Sequence, residues 1–385
     1  MRIALIPSAF HPSLGGVEEL TRRLATSLIE AGHEVQVWTS QPPGDDVPGR
    51  ETVDGIEVLR FTFPLPRANL VAAVKWPVPA LAVLRDLRSA ARSFSPDVLH
   101  VQCFSGNGVY AAALSRSMGI PLVISLQGET VMDDQDIFTR SRTLKSGLRW
   151  GLKQASAVTA CSKFTLDDAI ARFGAEPSKS QVIFNGVDLD ERADEQPLEL
   201  PFDVFALAVG RVVHKKGFDL LLDACQLLDE LPPRTGIVIG GDGPRLEGLR
   251  QQALRMGIAD RVVFPGRLER SQVAWAMSNA RCFVLPSRLE PFGIVILEAW
   301  RAGTAIIASN IGGAPEFVTE GTTGLLRNPC DVASLAQAIA ALLNDAELAH
   351  RLGRSGESAV RAFDWALLSR EYTNLYAEVT HNSER

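Results

Sequence analysis

The chain alternates short apolar runs with longer amphipathic stretches, breaks off once, and then repeats the alternation. The first series of strand-like runs is RIALIP, EVQVWTS, IEVLRF, DVLHVQ, PLVISL, AVTACS and QVIFN, from Arg2 to Asn185. Helix-like patterns lie between them. In Val17 to Ala31, for example, Leu20, Leu24 and Leu28 recur at a spacing of four and lay one apolar stripe along a helix. Apolar strands separated by amphipathic helices imply a parallel sheet covered on both faces. The pattern stops at ERADEQPLELPFD, residues 191–203, an acidic stretch with two prolines and no periodicity, which reads as a linker. It restarts with FALAVG, GIVIGG, RVVFPG, CFVLPS and AIIASN. The expected fold is α/β, with two doubly wound domains in series over residues 1–190 and 204–365. A chain of 385 residues is long for one compact core and natural for two. Phe363, Trp365, Leu368, Tyr372 and Tyr376 then pattern an amphipathic tail helix, whose simplest role is packing.

Composition narrows the function. A net charge of -6 argues against a general nucleic-acid binder. No apolar run approaches the roughly 20 residues that span a bilayer. MRIALIP is too short for the apolar region of a signal peptide and reads better as a first strand. Cys103, Cys161, Cys225, Cys282 and Cys330 are scattered without a CxxC pair, which fits a reducing cytosol and speaks against a zinc site. The histidines show no HxH or HExxH spacing, so no metal is expected. Two stretches of the first half are basic: Arg60, Arg67, Lys75, Arg85, Arg88 and Arg92 against one acid, Asp86, and then Arg140, Arg142, Lys145, Arg149 and Lys153.

Open α/β sheets bind ligands at the carboxyl ends of their strands, and a cleft between two such domains is the expected place to look. Several motifs fall at strand ends. EPFGIVILEAW puts Glu290 on a loop before a helix and Glu298 inside that helix. The amides of Gly293, Ile294 and Val295 are then helix-start donors, suited to an anion such as phosphate. GRVVHKKGF offers Arg211, Lys215 and Lys216 beside glycine; a guanidinium grips phosphate at two points and an ammonium acts as a compact charge. Gly15 and Gly16 in HPSLGGVEEL, and Gly241 in GGDGPR, permit a close backbone approach or a turn with positive φ. Neither loop is GxGxxG. SLQGET, holding Gln127 and Gly128, enters an acidic loop with Asp133, Asp134 and Asp136, a candidate site for sugar hydroxyls.

In combination these motifs resemble the retaining glycosyltransferases of the GT-B fold, family 4 of the group 1 type, over nearly the whole chain. The ordered set is the Gly-Gly loop with Glu18, CSKFTLDDAI, FNGVDL, GRVVHKKGFDLLLDA, GGDGPR, VVFPGRL, the two-glutamate motif and GGAPEFV. The resemblance implies two Rossmann-like domains facing a cleft, with the last helix, 366–385, crossing back to the first. It implies that Arg211 and Lys216 hold the diphosphate of a nucleotide-sugar donor, Glu298 the ribose, and Glu290 the transferred sugar. Gly293, Ile294 and Val295 would add backbone contacts, Gly15 and Gly16 would approach the phosphates, and Arg267 and Leu268 would border the base. Gln127 stands where the family often has histidine; it cannot titrate but still exchanges hydrogen bonds with hydroxyls. Thr304 and Ala305 stand where many members have proline.

The implied reaction is retaining, metal-independent transfer of a sugar to a hydroxyl of a glycan, glycolipid or small molecule. The setting is cell-surface polysaccharide or glycoconjugate synthesis, in the cytoplasm or at the inner face of the membrane, with the basic stretches as an anionic-lipid surface. The alternatives are a nucleotide-sugar epimerase and a non-catalytic sugar-nucleotide-binding protein of the same fold.

Overall fold

The computed structural model describes residues 1–13, 15–42, 47–66, 76–132, 137–190 and 196–383. Asp133, Asp134, Asp136, Arg67, Lys75 and the start of the expected linker lie outside them. The chain divides into two compact units, Met1–Asn185 with Trp365–Arg385, and Gly186–Asp364.

The sheet of the first unit has the order β3-β4-β2-β1-β5-β6-β7-β8. Its strands are β1 (Arg2–Pro7), β2 (Glu34–Ser40), β3 (Arg50–Val53), β4 (Ile56–Phe61), β5 (Val98–Gln102), β6 (Leu122–Leu126), β7 (Ala157–Ala160) and β8 (Ser180–Val182). All pairs are parallel except β3 with β4. The antiparallel edge strand β3 is added to the parallel sheet that the alternation implies. The strand at Arg50–Val53 has alternating exposure and no apolar run, so apolar patterning does not reveal it. Its signal is the Asp54-Gly55 pair, both at positive φ, which closes a tight hairpin onto β4.

Helices cover the sheet because each carries one apolar stripe. In α1 (Gly16–Glu30), Leu20, Leu24 and Leu28 are buried. In α2 (Pro77–Phe94), α3 (Gly106–Met118) and α4 (Arg142–Gln154), buried Val83, Leu87, Leu114, Leu148 and Leu152 join one core with Leu99, Val101 and Ile124 of the sheet. The terminal helix, Trp365–Ser383, belongs to this unit. A polar chain secures it: the Tyr376 hydroxyl lies 2.6 Å from His100 Nδ1, whose Nε2 lies 2.6 Å from Ser125 Oγ and 3.1 Å from Gln102 Nε2.

The second sheet is wholly parallel, in the order β11-β10-β9-β12-β13-β14. Its strands are β9 (Val204–Val209), β10 (Thr235–Gly240), β11 (Val262–Gly266), β12 (Cys282–Leu285), β13 (Ala305–Ser309) and the short edge strand β14 (Leu325–Arg327), which sequence patterning does not pick out. Strand order reverses between β9 and β12 here, and between β1 and β5 in the first unit. Those are the switch points where such sheets leave a crevice for ligands. Thr304 is buried and donates from Oγ1 to the Met277 carbonyl at 2.5 Å.

Candidate active site

The loops after β9 and β12 flank the switch point of the second sheet, and they carry Arg211, Lys216, Glu290 and Gly293. After β9 the chain makes one 3-10 turn, His214–Lys216, closed by Gly217 at φ +69. A Cβ on Gly217 would fall 2.0 Å from the Pro286 carbonyl oxygen, so glycine is needed for the two loops to touch. They are also stapled together. Arg288 gives its backbone amide to the Lys215 carbonyl and Nη1 to the His214 carbonyl, both at 2.9 Å. It grips Asp219 at 2.7 Å through each of Nη1 and Nη2. Burial works to raise the Asp219 pKa, but the Arg288 hydrogen bonds and charge outweigh it and hold the carboxyl below the usual aspartate range. Sequence reading missed Arg288 because its role is visible only once the two loops are adjacent.

The staple brings Lys216 Nζ to 2.7 Å from Glu290 Oε2, which also accepts the Ser287 hydroxyl at 2.9 Å. The resemblance implies that these two residues hold different parts of a ligand; in the structure they are also paired with each other. Glu290 is itself locked by its backbone. Its carbonyl accepts the Gly313 amide at 2.9 Å, and Gly312, at φ +117, passes so close that a Cβ there would lie 2.0 Å from that oxygen. Phe292, two residues on, is buried in an aromatic cluster, 4.9 Å from Phe317 between ring centroids. Phe317 also meets Phe363 at 5.4 Å and Trp300 at 5.7 Å.

Gly293, at φ +90, then caps the helix α5 (Ile294–Arg301). The amides of Ile294 and Val295 open its first turn, where helical partners do not exist. Glu298 is partly exposed in the middle of this helix, and Arg211 is exposed directly after β9. Gly241, at φ +134, follows β10, and a Cβ there would meet the Gly210 carbonyl at 1.9 Å. Leu268, after β11, lays its side chain over Gly240, with Cδ1 2.5 Å from where a Cβ would stand; Arg267 beside it is exposed. The second-unit residues singled out from sequence thus share the carboxyl edge of one sheet. Among the described residues, no group of three or more His, Cys, Asp or Glu is placed to hold a metal ion.

The remaining candidates lie in the first unit. Gly15 caps α1 with extended backbone, φ -175, and Gly16 is helical, so neither supplies the positive φ considered from sequence. Close approach remains, because nothing stands within 4 Å of a Cβ built on Gly16. Gly128, at φ +90, follows β6. Gln127 turns its amide inward. Nε2 donates to Gln102 Oε1 at 3.0 Å, and Oε1 is buried with no hydrogen-bond partner among the described residues.

Two family models match the chain: Glycosyltransferase Family 4 over residues 14–191 and Glycosyl transferases group 1 over residues 190–359. The chain belongs to the family 4, group 1 glycosyltransferases. It is 28% identical to a glycogen synthase of Mycobacterium tuberculosis over 98% of this chain and 94% of that protein. It is 28% identical to a D-inositol 3-phosphate glycosyltransferase of Streptomyces scabiei, over 96% of this chain and 88% of the relative. Among solved structures, sucrose-phosphate synthase from Thermosynechococcus elongatus aligns with a TM-score of 0.80 at 24% identity, covering 99% of each chain. Anabaena HepE, solved in complex with UDP-glucose, aligns at 0.74 and 21% identity, covering 98% of this chain and 100% of that one. These structural likenesses fix the fold of this glycosyltransferase as GT-B.

Proposed function

We propose that this glycosyltransferase moves a hexose from a nucleotide-diphosphate sugar to an acceptor hydroxyl, with retention and without a metal. The observation that carries this reading is the Lys216–Glu290 pair at the switch point of the second sheet, beside the start of α5. A departing diphosphate gains negative charge as the glycosidic bond breaks. Arg211, Lys216 and the free amides of α5 answer that charge, each charge-assisted bond contributing roughly 1.5–3 kcal/mol. Glu290 and Glu298 accept hydrogen bonds from hydroxyls of the sugar and the ribose, Arg267 and Leu268 border the base, and Gly241 leaves room for the phosphates. The departing phosphate oxygen takes the proton of the acceptor hydroxyl on the same face, so no side-chain base is needed and the amide at Gln127 does not defeat the scheme.

The test is product formation from labelled UDP-, GDP- and ADP-sugars, with the anomeric configuration read by NMR and EDTA present throughout. Transfer with retention that survives EDTA supports the reading. An inverted product, an EDTA-sensitive rate, or sugar isomerisation without acceptor refutes it, the last in favour of an epimerase.

The acceptor belongs to surface polysaccharide or glycoconjugate synthesis, handled at the cytoplasmic face of a membrane. Two features support this. The basic row Arg142, Lys145, Arg149 and Lys153 runs along α4, and α2 carries Arg85, Arg88 and Arg92 beside exposed Val78 (76%) and Leu81 (62%). Such faces hold anionic lipid peripherally. Among the described residues no single helix is long and apolar enough to cross a membrane. Sedimentation with anionic vesicles at low salt and not with neutral ones is the expected outcome; equal recovery with both removes the proposal.

A further inference from the structure

The switch point of the first sheet lies between β1 and β5, and one half-buried acidic side chain lies beside it. Glu129 leaves β6 through Gln127 and Gly128 and turns back beneath its own loop. Oε2 accepts the Gln127 amide at 2.7 Å, and Oε1 accepts the Phe104 amide at 2.6 Å, just after β5. Gly128, at φ +90, permits the reversal. The carboxylate thus clasps the ends of two neighbouring strands, immediately ahead of α3, whose cap is Ser105. Thr130, the next residue, is pinned separately: its hydroxyl donates to Asp168 at 2.7 Å, and Arg172 bonds both Asp168, at 2.9 Å, and the Thr130 carbonyl, at 3.3 Å. The segment 127–130 is thus tied at both ends: Thr130 to Asp168, and Gln127 to the Glu129 carboxylate through its amide and to Gln102 through its side chain, while the Gly128 carbonyl accepts the Val131 and Met132 amides.

We infer that Glu129 is a positioning residue for sugar transfer, holding Gln127 and Gly128 in place by this two-amide clasp and releasing one amide when its carboxyl takes a proton. The inference rests on the reading of residues 127 and 128 as the sugar side of the site.

Burial raises the Glu129 pKa to about 7 and outweighs the backbone hydrogen bonds that lower it. The proton therefore comes and goes near neutrality. An ionised carboxylate offers acceptor oxygens to the Phe104 and Gln127 amides, and the amides of Gly128 and Glu129 also hydrogen-bond to it. A protonated one carries an O–H on one oxygen and no longer serves these amides equally. The other titratable groups facing this corner do not supply that step. Cys103, after β5, and Cys161, after β7, lie beside Glu129, and burial pushes the Cys103 thiol well up and the Cys161 thiol up to about 12. Glu18 of α1 acts on Cys103 by its charge, and Asp168 and Arg172 are engaged with each other and with Thr130.

The test compares the full-length chain with Glu129→Gln and Glu129→Asp, using nucleotide-sugar donor and the pH dependence of kcat/KM. The wild type should lose activity about ten-fold per pH unit below a midpoint near 7. Glu129→Gln should be at least ten-fold slower at pH 8 and flat between pH 6 and 8, and Glu129→Asp should restore a sloping limb. An unchanged limb in Glu129→Gln, or full activity at pH 8, overturns the inference. A second readout does not need catalysis. The amide proton shifts of Phe104 and Gln127 should titrate together with a midpoint near 7 in the wild type and not in Glu129→Gln. Amides that ignore pH between 6 and 8 overturn the clasp even if transfer is observed. Titrating amides without any sugar transfer leave the clasp standing and refute the donor reading instead.

Discussion

Replacing Lys216 with methionine probes the centre of the second unit. The Lys216 and Glu290 side chains are 18% and 8% exposed, and they meet at 2.7 Å. Methionine keeps the aliphatic stem and removes the charge. Glu290 then keeps the Ser287 hydroxyl but loses its cation. Breaking a buried pair by deleting one partner costs about 3–5 kcal/mol, because the remaining charge stays desolvated. The residual exposure of Lys216 argues for the lower end, about 3 kcal/mol. For a unit of this size each kcal/mol shifts Tm by about 2–4 °C, so Lys216→Met should lower Tm by about 6–12 °C. Adding Glu290→Gln removes the orphan charge, and the double variant should recover much of that loss while transferring no sugar. Scanning calorimetry of the wild type, both single variants and the double variant gives the cycle, and a transfer assay runs beside it. If Lys216→Met melts with the wild type, or the double variant melts no higher than Lys216→Met, the pair is a surface contact and the argument fails. On sequence alone Lys216 is purely a ligand, replaceable without cost to the fold; the ion pair adds that cost.

Further outcomes follow from the same geometry. Gly312→Ala places a Cβ 2.0 Å from the Glu290 carbonyl at φ +117, so it should displace the Glu290 loop and reduce kcat/KM at least ten-fold, whereas Gly321→Ala, which meets nothing within 4 Å, should strain only its own turn and leave kcat/KM within two-fold. Equal effects in the two variants would show that the close approach is unimportant. Arg288→Ala should raise the donor KM, because the loops bearing Lys216 and Glu290 lose their staple to each other and to Asp219; an unchanged KM would count against that role. His100 is fully buried, and burial lowers its pKa to about 3. The unfolded chain therefore takes up a proton near pH 6.5 that the folded chain refuses, and stability present above that pH falls as pH drops, by up to about 1.4 kcal/mol per unit. Urea denaturation between pH 6.5 and 5 should show a shallower loss for His100→Asn than for the wild type; parallel slopes would place the acid sensitivity elsewhere.

Sequence patterning locates the central strands because they are buried apolar runs, as in VLHVQ and AIIAS, and it finds β4 by its alternation of buried and half-buried residues. It passes over Arg50–Val53 and Leu325–Arg327, short edge strands whose exposure alternates or whose length is below any period. The ligand-side residues of the second unit are legible for a related reason. Glycine, lysine and glutamate at strand ends are placed there by the topology, and topology follows from the alternation. Contacts between loops far apart in sequence are not legible. Lys216 and Glu290 are 74 residues apart, and their pairing depends on Gly217 and Arg288, which reveal themselves only when β9 and β12 are neighbours. Glu129 escapes notice because SLQGET reads as a polar loop, and only the fold shows its carboxylate turned inward onto two amides. For Gln127 the sequence gives the residue type but not the direction, which is inward toward Gln102.

The most direct measurement is the electron density of a crystal of this glycosyltransferase soaked with a nucleoside diphosphate. The expected density has the two phosphates within hydrogen-bond distance of Arg211, Lys216 and the first amides of α5, with the ribose against Glu298. Density for the diphosphate anywhere else on the chain, with Lys216 still closed on Glu290, would contradict the account.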